Sequence, residues 1–175
     1  MGRSQRAHPT RVRHQYPLPR LGRRGGGWVA AQIVLLAAII LSALVGRGWS
    51  SSLAPLAYAI GGVLVAVGVG MLVAGGGALA RVSAVTPFPA PRTGSGLQTS
   101  GIYRLVRHPM YGGGILVALG WSTIFASVPG LILTAALAVF ADLKARREEL
   151  WLEHAFAGYA EYRKRTRRRL LPFVW

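Results

Sequence analysis

The residues of this chain best suited to chemistry fall into two clusters. The first is Gly101-Ile-Tyr-Arg-Leu-Val-Arg-His-Pro-Met-Tyr-Gly-Gly-Gly114, where Arg104, Arg107 and His108 put donors and positive charge at the mouth of an apolar run. Pro109 restricts His108 to extended geometry and suits the first helical position, so a helix opens here with N–H groups that favour an anion. Tyr103 and Tyr111 offer aromatic faces to a base or a cation. Gly112, Gly113 and Gly114, one turn in, would let a bulky ligand approach the backbone. The second cluster is Glu148-Glu149, whose carboxylates accept hydrogen bonds from hydroxyls or an ammonium group. A ligand with a carboxylate, a ribose and a cationic centre would use all of these groups. Taken singly, Arg and Tyr at a membrane border are anchors, and Glu near Arg on a helix is a solvated pair. The combination on one face is what points to a site.

Positioning these residues is the task of a largely apolar scaffold. Of 175 residues, 52% are hydrophobic and 23 are glycine, and the formal net charge is +16, from 21 basic against five acidic residues. So basic a chain meets either nucleic acid or an anionic membrane face. The distribution decides: 48–80 and 108–141 hold no Asp, Glu, Lys or Arg. Long uncharged runs between basic segments indicate an integral membrane protein. The basic tail lacks the interleaved aromatics or folded reader of a nucleic-acid binder, so no nucleic-acid partner is expected. With no cysteine there is no thiolate metal site and no cysteine nucleophile.

Residues 1–27 carry seven arginines, three prolines and no acid, which reads as a disordered basic tail. Arg23-Arg24 belongs to that tail rather than to a cleaved export signal, because the next run is long for a signal and more spans follow. Four spans are predicted, at about 28–45, 54–76, 109–127 and 130–147, followed by an amphipathic C-terminal helix at about 148–166. Gly62, Ala66, Gly70 and Ala74 recur every four residues along the second span and predict a helix-packing face. Gly75-Gly76-Gly77 is expected to end or loosen that helix. Prolines 87, 89 and 91 make 81–100 a loop, and Val128-Pro129-Gly130 is read as a tight turn. The fourth span should leave the membrane as a long helix carrying Asp142 to Glu149. Beyond it Trp151, Ala155, Tyr159 and Tyr162, with Leu152 and Phe156, form a face that lies on the membrane or closes over the protein's own site.

Counting Arg and Lys gives seven before the first span, one in the 1–2 link, four in the 2–3 loop, none in the 3–4 turn and nine from Lys144 onward. Four spans with both termini cytoplasmic satisfy these counts. The two clusters then share the cytoplasmic side.

Gly101-Ile-Tyr-Arg-Leu-Val-Arg-His-Pro-Met-Tyr111 resembles the signature of the isoprenylcysteine carboxyl methyltransferase family and its bacterial relatives, whose core phospholipid N-methyltransferases share. The second half of that signature is matched by Glu148-Glu149, Leu152, Phe156, Gly158-Tyr159, Tyr162, Thr166 and Leu171-Pro172. The resemblance covers about 95–175. It implies an all-α integral membrane enzyme, with 28–175 as a membrane methyltransferase domain, using S-adenosyl-L-methionine at the cytoplasmic side. Carried over residue by residue, it implies that Leu97, Gln98, Tyr103, His108, Pro109, Met110, Tyr111 and Glu148 hold the cofactor. It places Lys144 toward the substrate, where eukaryotic members have arginine; Arg146 and Arg147 are unaligned alternatives. The motif is one residue shorter between Phe156 and Tyr159 than the eukaryotic pattern, as in a bacterial variant.

The implied reaction is methyl transfer to a lipophilic or lipidated acceptor arriving from the bilayer, O-methylation of a carboxylate first, in a bacterial inner membrane. Anionic lipids are expected to meet the basic tails, and the sequence leaves the oligomeric state open. The competing readings are a phospholipid N-methyltransferase or related membrane enzyme, and a non-enzymatic basic membrane scaffold. His8, His14 and His154 receive no role.

Overall fold

A computed structural model describes residues 26–82 and 96–172; the N-terminal basic tail up to residue 25 and most of the proline-rich loop lie outside the described residues. Within them the chain is all helical: α1 (Gly26–Leu41), α2 (Ala54–Arg81), α3 (Pro109–Ile124), α4 (Val128–Ala155) and α5 (Tyr159–Arg165), with 3-10 turns at Ser42–Val45 and Gly101–Arg104. Gly26–Val45, Ala54–Arg81 and Val128–Ala155 are long and apolar enough to cross a membrane. Their outer faces carry exposed aliphatic side chains such as Val34, Leu44, Val63, Val73 and Ile132. That is the surface lipid demands and water penalises. At 16 residues α3 spans ~24 Å against a hydrocarbon core of ~30 Å, so the third expected span falls short of a full crossing.

α3 packs along α2 through glycine. A Cβ on Gly68 would stand 2.7 Å from the Gly113 carbonyl oxygen, and one on Gly113 would stand 2.7 Å from that of Gly68. Gly61 and Gly120 repeat the arrangement seven residues away, at 2.9 and 2.6 Å. The packing face is therefore Gly61, Gly68 and Gly75, with Ala57, Met71 and Ala78 beside it. The expected face of Gly62, Ala66, Gly70 and Ala74 is instead exposed, and nothing lies within 4 Å of Gly62 or Gly70. The two stripes lie one residue apart on one helix. Composition cannot rank them; only the seven-residue register shared with Gly113 and Gly120 can.

Gly75-Gly76-Gly77 does not end α2, which continues to Arg81. A glycine costs a helix about 1 kcal/mol relative to alanine, and packing on this stretch outweighs it. Gly75 lies against Pro109 and Met110, and its carbonyl is 3.5 Å from the Tyr103 hydroxyl.

Val128-Pro129-Gly130 is the first turn of α4 rather than a loop, with Pro129 at the start of the helix where its missing N–H costs nothing. The chain reverses at Phe125–Ser127, where Ala126 has φ 49. Ser127 caps α4, accepting from the Gly130 N–H at 3.1 Å while its hydroxyl donates to the Ser42 carbonyl at 2.8 Å.

α4 carries its charged residues in one uninterrupted helix to Ala155, so 148–155 is its last two turns and not the start of a separate amphipathic helix. Phe156 is extended, and among the described residues that follow Tyr159–Arg165 forms one further helix. Residues 166–172 then return across the start of α3. The Arg107 N–H donates to the Arg168 carbonyl at 3.0 Å and the His108 N–H to that of Arg169 at 2.8 Å. Leu170 is fully buried, and its carbonyl oxygen occupies the space where a Cβ on Gly112 would be.

Candidate active site

His108 is the residue before α3, Pro109 is its first, and Pro109 is wholly buried against Gly75. This fixes where His108 and Tyr111 stand. Their rings stack 5.5 Å apart at 7°, and the Tyr111 hydroxyl donates to Glu148 Oε2 at 2.8 Å. His108 lies between the two glutamates, with Nδ1 3.7 Å from Glu148 Oε2 and Nε2 3.2 Å from Glu149 Oε1.

The two carboxylates are divided in use. Glu149 Oε1 accepts from Arg107 Nε at 2.8 Å, from His108 Nε2 and from Arg169 Nε at 3.3 Å. Arg169 also donates to Asp142 Oδ1 at 2.6 Å. Burial disfavours the Arg169 charge, but those carboxylates outweigh it and hold the guanidinium above its ordinary pKa. Arg107 Nη1 donates to the carbonyls of Thr166 and Arg167, both at 2.7 Å. Glu149 is thus the centre of a buried network that fastens the C-terminal segment to α3. Glu148, with a side chain 26% exposed against 6% for Glu149, faces a cavity.

That cavity is about 770 Å³. Leu97, Gln98, Tyr103, His108, Met110, Tyr111, Lys144 and Glu148 all line it, together with Arg107. The structure therefore brings together every residue that the resemblance assigned to cofactor or substrate except Pro109, which is absent from the lining and acts through the helix start it sets. Other expectations change. Gly112 is filled by the Leu170 carbonyl and Gly113 by α2, so of the three glycines only Gly114 opens onto the cavity. Arg104 lies outside the lining, and Arg107 Nε and Nη1 are engaged within the protein. Arg146 is exposed and bonded to Asp142 at 2.6 Å, and Arg147, though buried, is outside the lining; of the three cations considered for a substrate, Lys144 is the one that lines the cavity.

Leu152, Phe156, Tyr159 and Tyr162 complete the polar end, so the aromatic face beyond α4 closes over the protein's own cavity. Burial first, and the Glu148 charge second, push the Tyr103 phenol well above its ordinary pKa; burial does the same for Tyr159 and Tyr162. All three remain neutral donors. Tyr162 donates to the Tyr103 carbonyl at 2.8 Å, whereas the hydroxyl of Tyr159, 1% exposed, has no hydrogen-bond partner among the described residues.

Away from this end the cavity is apolar and runs between α1, α3 and α4, past Leu36, Ile39, Gly114, Ala118, Leu137 and Phe140 to Trp121. The sequence reading assigned no site residue to α1, yet Gln32 lines the cavity and its Oε1 accepts from Lys144 Nζ at 2.6 Å. Its signal was available: Gln32 is the one polar residue between Trp28 and Leu41.

Membrane-length helices around a cavity that is polar at one end and apolar along the rest define a multi-pass membrane protein with a cavity inside its bundle. Residues 56–158, more than half of the chain, match the phospholipid methyltransferase family, and the chain belongs to that family. This is the group of membrane methyltransferases to which the signature at 101–111 pointed. A Delta(14)-sterol reductase of Mus musculus is 33% identical over 86 residues, which is 47% of this chain and 21% of the relative. The chain thus spans about a fifth of the length of that protein.

Proposed function

We propose that this protein transfers a methyl group from S-adenosyl-L-methionine to a lipophilic acceptor, first of all to a carboxylate. The observation that carries the reading is the single cavity joining Glu148, His108 and Tyr111 to an apolar passage ending at Trp121. The cofactor's chemistry fits the polar end: a carboxylate for hydroxyls or an ammonium group, aromatic faces, a side-chain amide and the hydroxyl of Tyr159, unpartnered among the described residues. In this reading Leu97, Gln98, Tyr103, His108, Met110, Tyr111 and Glu148 hold the cofactor, Pro109 sets the helix that presents them, and Lys144 faces the acceptor. When bound, the sulfonium would supply an already activated methyl group to a carboxylate oxygen and would depart as the neutral thioether, a transfer in which the lining residues need move no proton. The protein's own work is to align two ligands and exclude water, and the aromatic cover of Phe156, Tyr159 and Tyr162 serves the second task.

The distribution of Arg and Lys supports placing both termini and the polar end on the cytoplasmic side of a bacterial inner membrane. The exposed Arg163, Lys164, Arg165, Arg167 and Arg168 would then meet anionic lipid.

The family's description favours a second reading, N-methylation of a phospholipid. A protonated amine acceptor would need a base, which a carboxylate does not. Transfer of labelled methyl from S-adenosylmethionine into membrane lipid separates the two. A base-labile ester product supports O-methylation, a base-stable methylamine supports the phospholipid reading, and no transfer by folded protein removes both.

A further inference from the structure

The chain has five acidic side chains, and each is already engaged within the protein. Asp142 meets Arg146 and Arg169, Glu148 meets Tyr111, and Glu149 meets Arg107, His108 and Arg169. Glu153 pairs with Arg163 and Glu161 with Lys164. Arg104, Arg165 and Arg167 are exposed and take part in none of these pairs. They are neighbours: the hydroxyl of Thr166, between Arg165 and Arg167, lies 3.4 Å from the carbonyls of both Tyr103 and Arg104. Leu105, next to Arg104, is 54% exposed. Three cations without an internal counter-charge, beside an exposed leucine, match an anionic membrane surface in both charge and polarity.

We infer that this face binds anionic lipid, and that the binding tightens the cofactor site through the C-terminal segment. The inference rests on the methyl-transfer reading and adds a regulator of its site. Arg165 and Arg167 are exposed, while the backbone of the same segment holds the start of α3. The Thr166 and Arg167 carbonyls accept from Arg107 Nη1, and those of Arg168 and Arg169 accept from the N–H groups of Arg107 and His108. His108 lines the cavity, so the segment fixes the backbone that carries a cofactor residue. Arg104 stands on the 3-10 turn before α3, and Arg165 ends α5. A detached segment would carry Arg165 and Arg167 away from Arg104, and only the seated one brings the three charges to a surface together. A surface that binds one of two arrangements better shifts the population toward it. Arg163 and Lys164 lie on the same stretch, but Glu153 and Glu161 already balance their charge.

The test places the full chain in lipid nanodiscs of phosphatidylcholine alone or mixed equally with phosphatidylglycerol. Hydrogen exchange of the Arg107 and His108 amides reports whether the segment is seated, because both donate to it. Phosphatidylglycerol should slow that exchange about tenfold, and equal exchange in the two discs overturns the inference. Replacing Arg104, Arg165 and Arg167 together by glutamine should abolish the slowing, and replacing them by lysine should keep it. A slowing that survives in the glutamine variant overturns the inference. So does faster exchange of that variant already in phosphatidylcholine, which would make the arginines structural. Inorganic phosphate and polyglutamate, added to phosphatidylcholine discs, should change nothing; slowing by either assigns the face to a free ion or an acidic protein instead. S-adenosylhomocysteine should bind severalfold more tightly in the anionic discs, and unchanged affinity beside slowed exchange overturns the link to the site. In uncharged dodecyl maltoside micelles the arginine variants should bind it as the wild type does. If the wild type binds none in any medium, the methyltransferase reading fails, and the exchange data still decide whether the face meets anionic lipid.

Discussion

Arg107 and Glu149, 42 residues apart, meet at 2.8 Å with side chains 5% and 6% exposed. This contact separates the structural carboxylate of the Glu148-Glu149 pair from the one that faces the cavity. It also ties three parts of the chain together, because the same guanidinium holds the carbonyls of Thr166 and Arg167.

Removing one partner leaves a buried charge uncompensated, which costs about 3–5 kcal/mol. Arg107→Ala and Glu149→Ala should therefore both lower the melting temperature in detergent strongly. The double change Arg107→Met with Glu149→Leu should recover only part of the loss: it removes the uncompensated charge but leaves the Thr166 and Arg167 carbonyls, His108 and Arg169 without these partners. Thermal unfolding of the purified protein checks this.

Glu148 behaves differently. Its structural partner is the Tyr111 hydroxyl, and its side chain is partly exposed to the cavity. Glu148→Gln should leave thermal stability within about 1 kcal/mol of wild type while weakening S-adenosylhomocysteine roughly tenfold or more. Equal loss of stability and binding would place Glu148 with Glu149 as a structural group.

The glycine seam gives a test free of ligand. Gly68→Ala and Gly113→Ala force a methyl group against a backbone carbonyl and should each cost about 1–3 kcal/mol. Gly70→Ala, on the exposed face, should be neutral or stabilise by up to about 1 kcal/mol. The melting temperatures of the three variants in one detergent rank them.

The C-terminal segment is predicted to be essential to the site. Gly112→Ala collides with the Leu170 carbonyl, a backbone atom that yields only if the whole segment shifts. Such overpacking costs about 1–3 kcal/mol, and the displaced strap would loosen His108. Limited proteolysis should then cut near 166–172 in Gly112→Ala and spare the wild type.

Much of this arrangement was legible in the sequence. Uncharged apolar runs mark α1, α2 and α4 because lipid excludes charge, and Pro109 marks the start of α3 because its ring fits only a first turn. The convergence of 101–111 with Glu148 was legible from charge asymmetry and the paired motifs. What stayed hidden depends on partners far away in the chain. Whether Gly61 or Gly62 faces inward is decided by Gly120, 59 residues on. The fate of Gly112 is decided by Leu170, which carries no pattern that places it on α3. Glu149 and Glu148 are the same residue type, and only Arg107, His108 and Arg169 separate them. Gln32 left a trace, a lone amide in an apolar run, but its meaning required Lys144, 112 residues away.

The central claim is that the cavity at Glu148, His108 and Tyr111 holds an S-adenosyl cofactor. Calorimetric titration of S-adenosylhomocysteine into the folded, detergent-solubilised chain tests it most directly. The account predicts saturable binding that His108→Ala and Glu148→Ala weaken and that Arg167→Ala, on the exposed surface, leaves unchanged. No binding to folded wild-type protein, or equal weakening by all three variants, would contradict it.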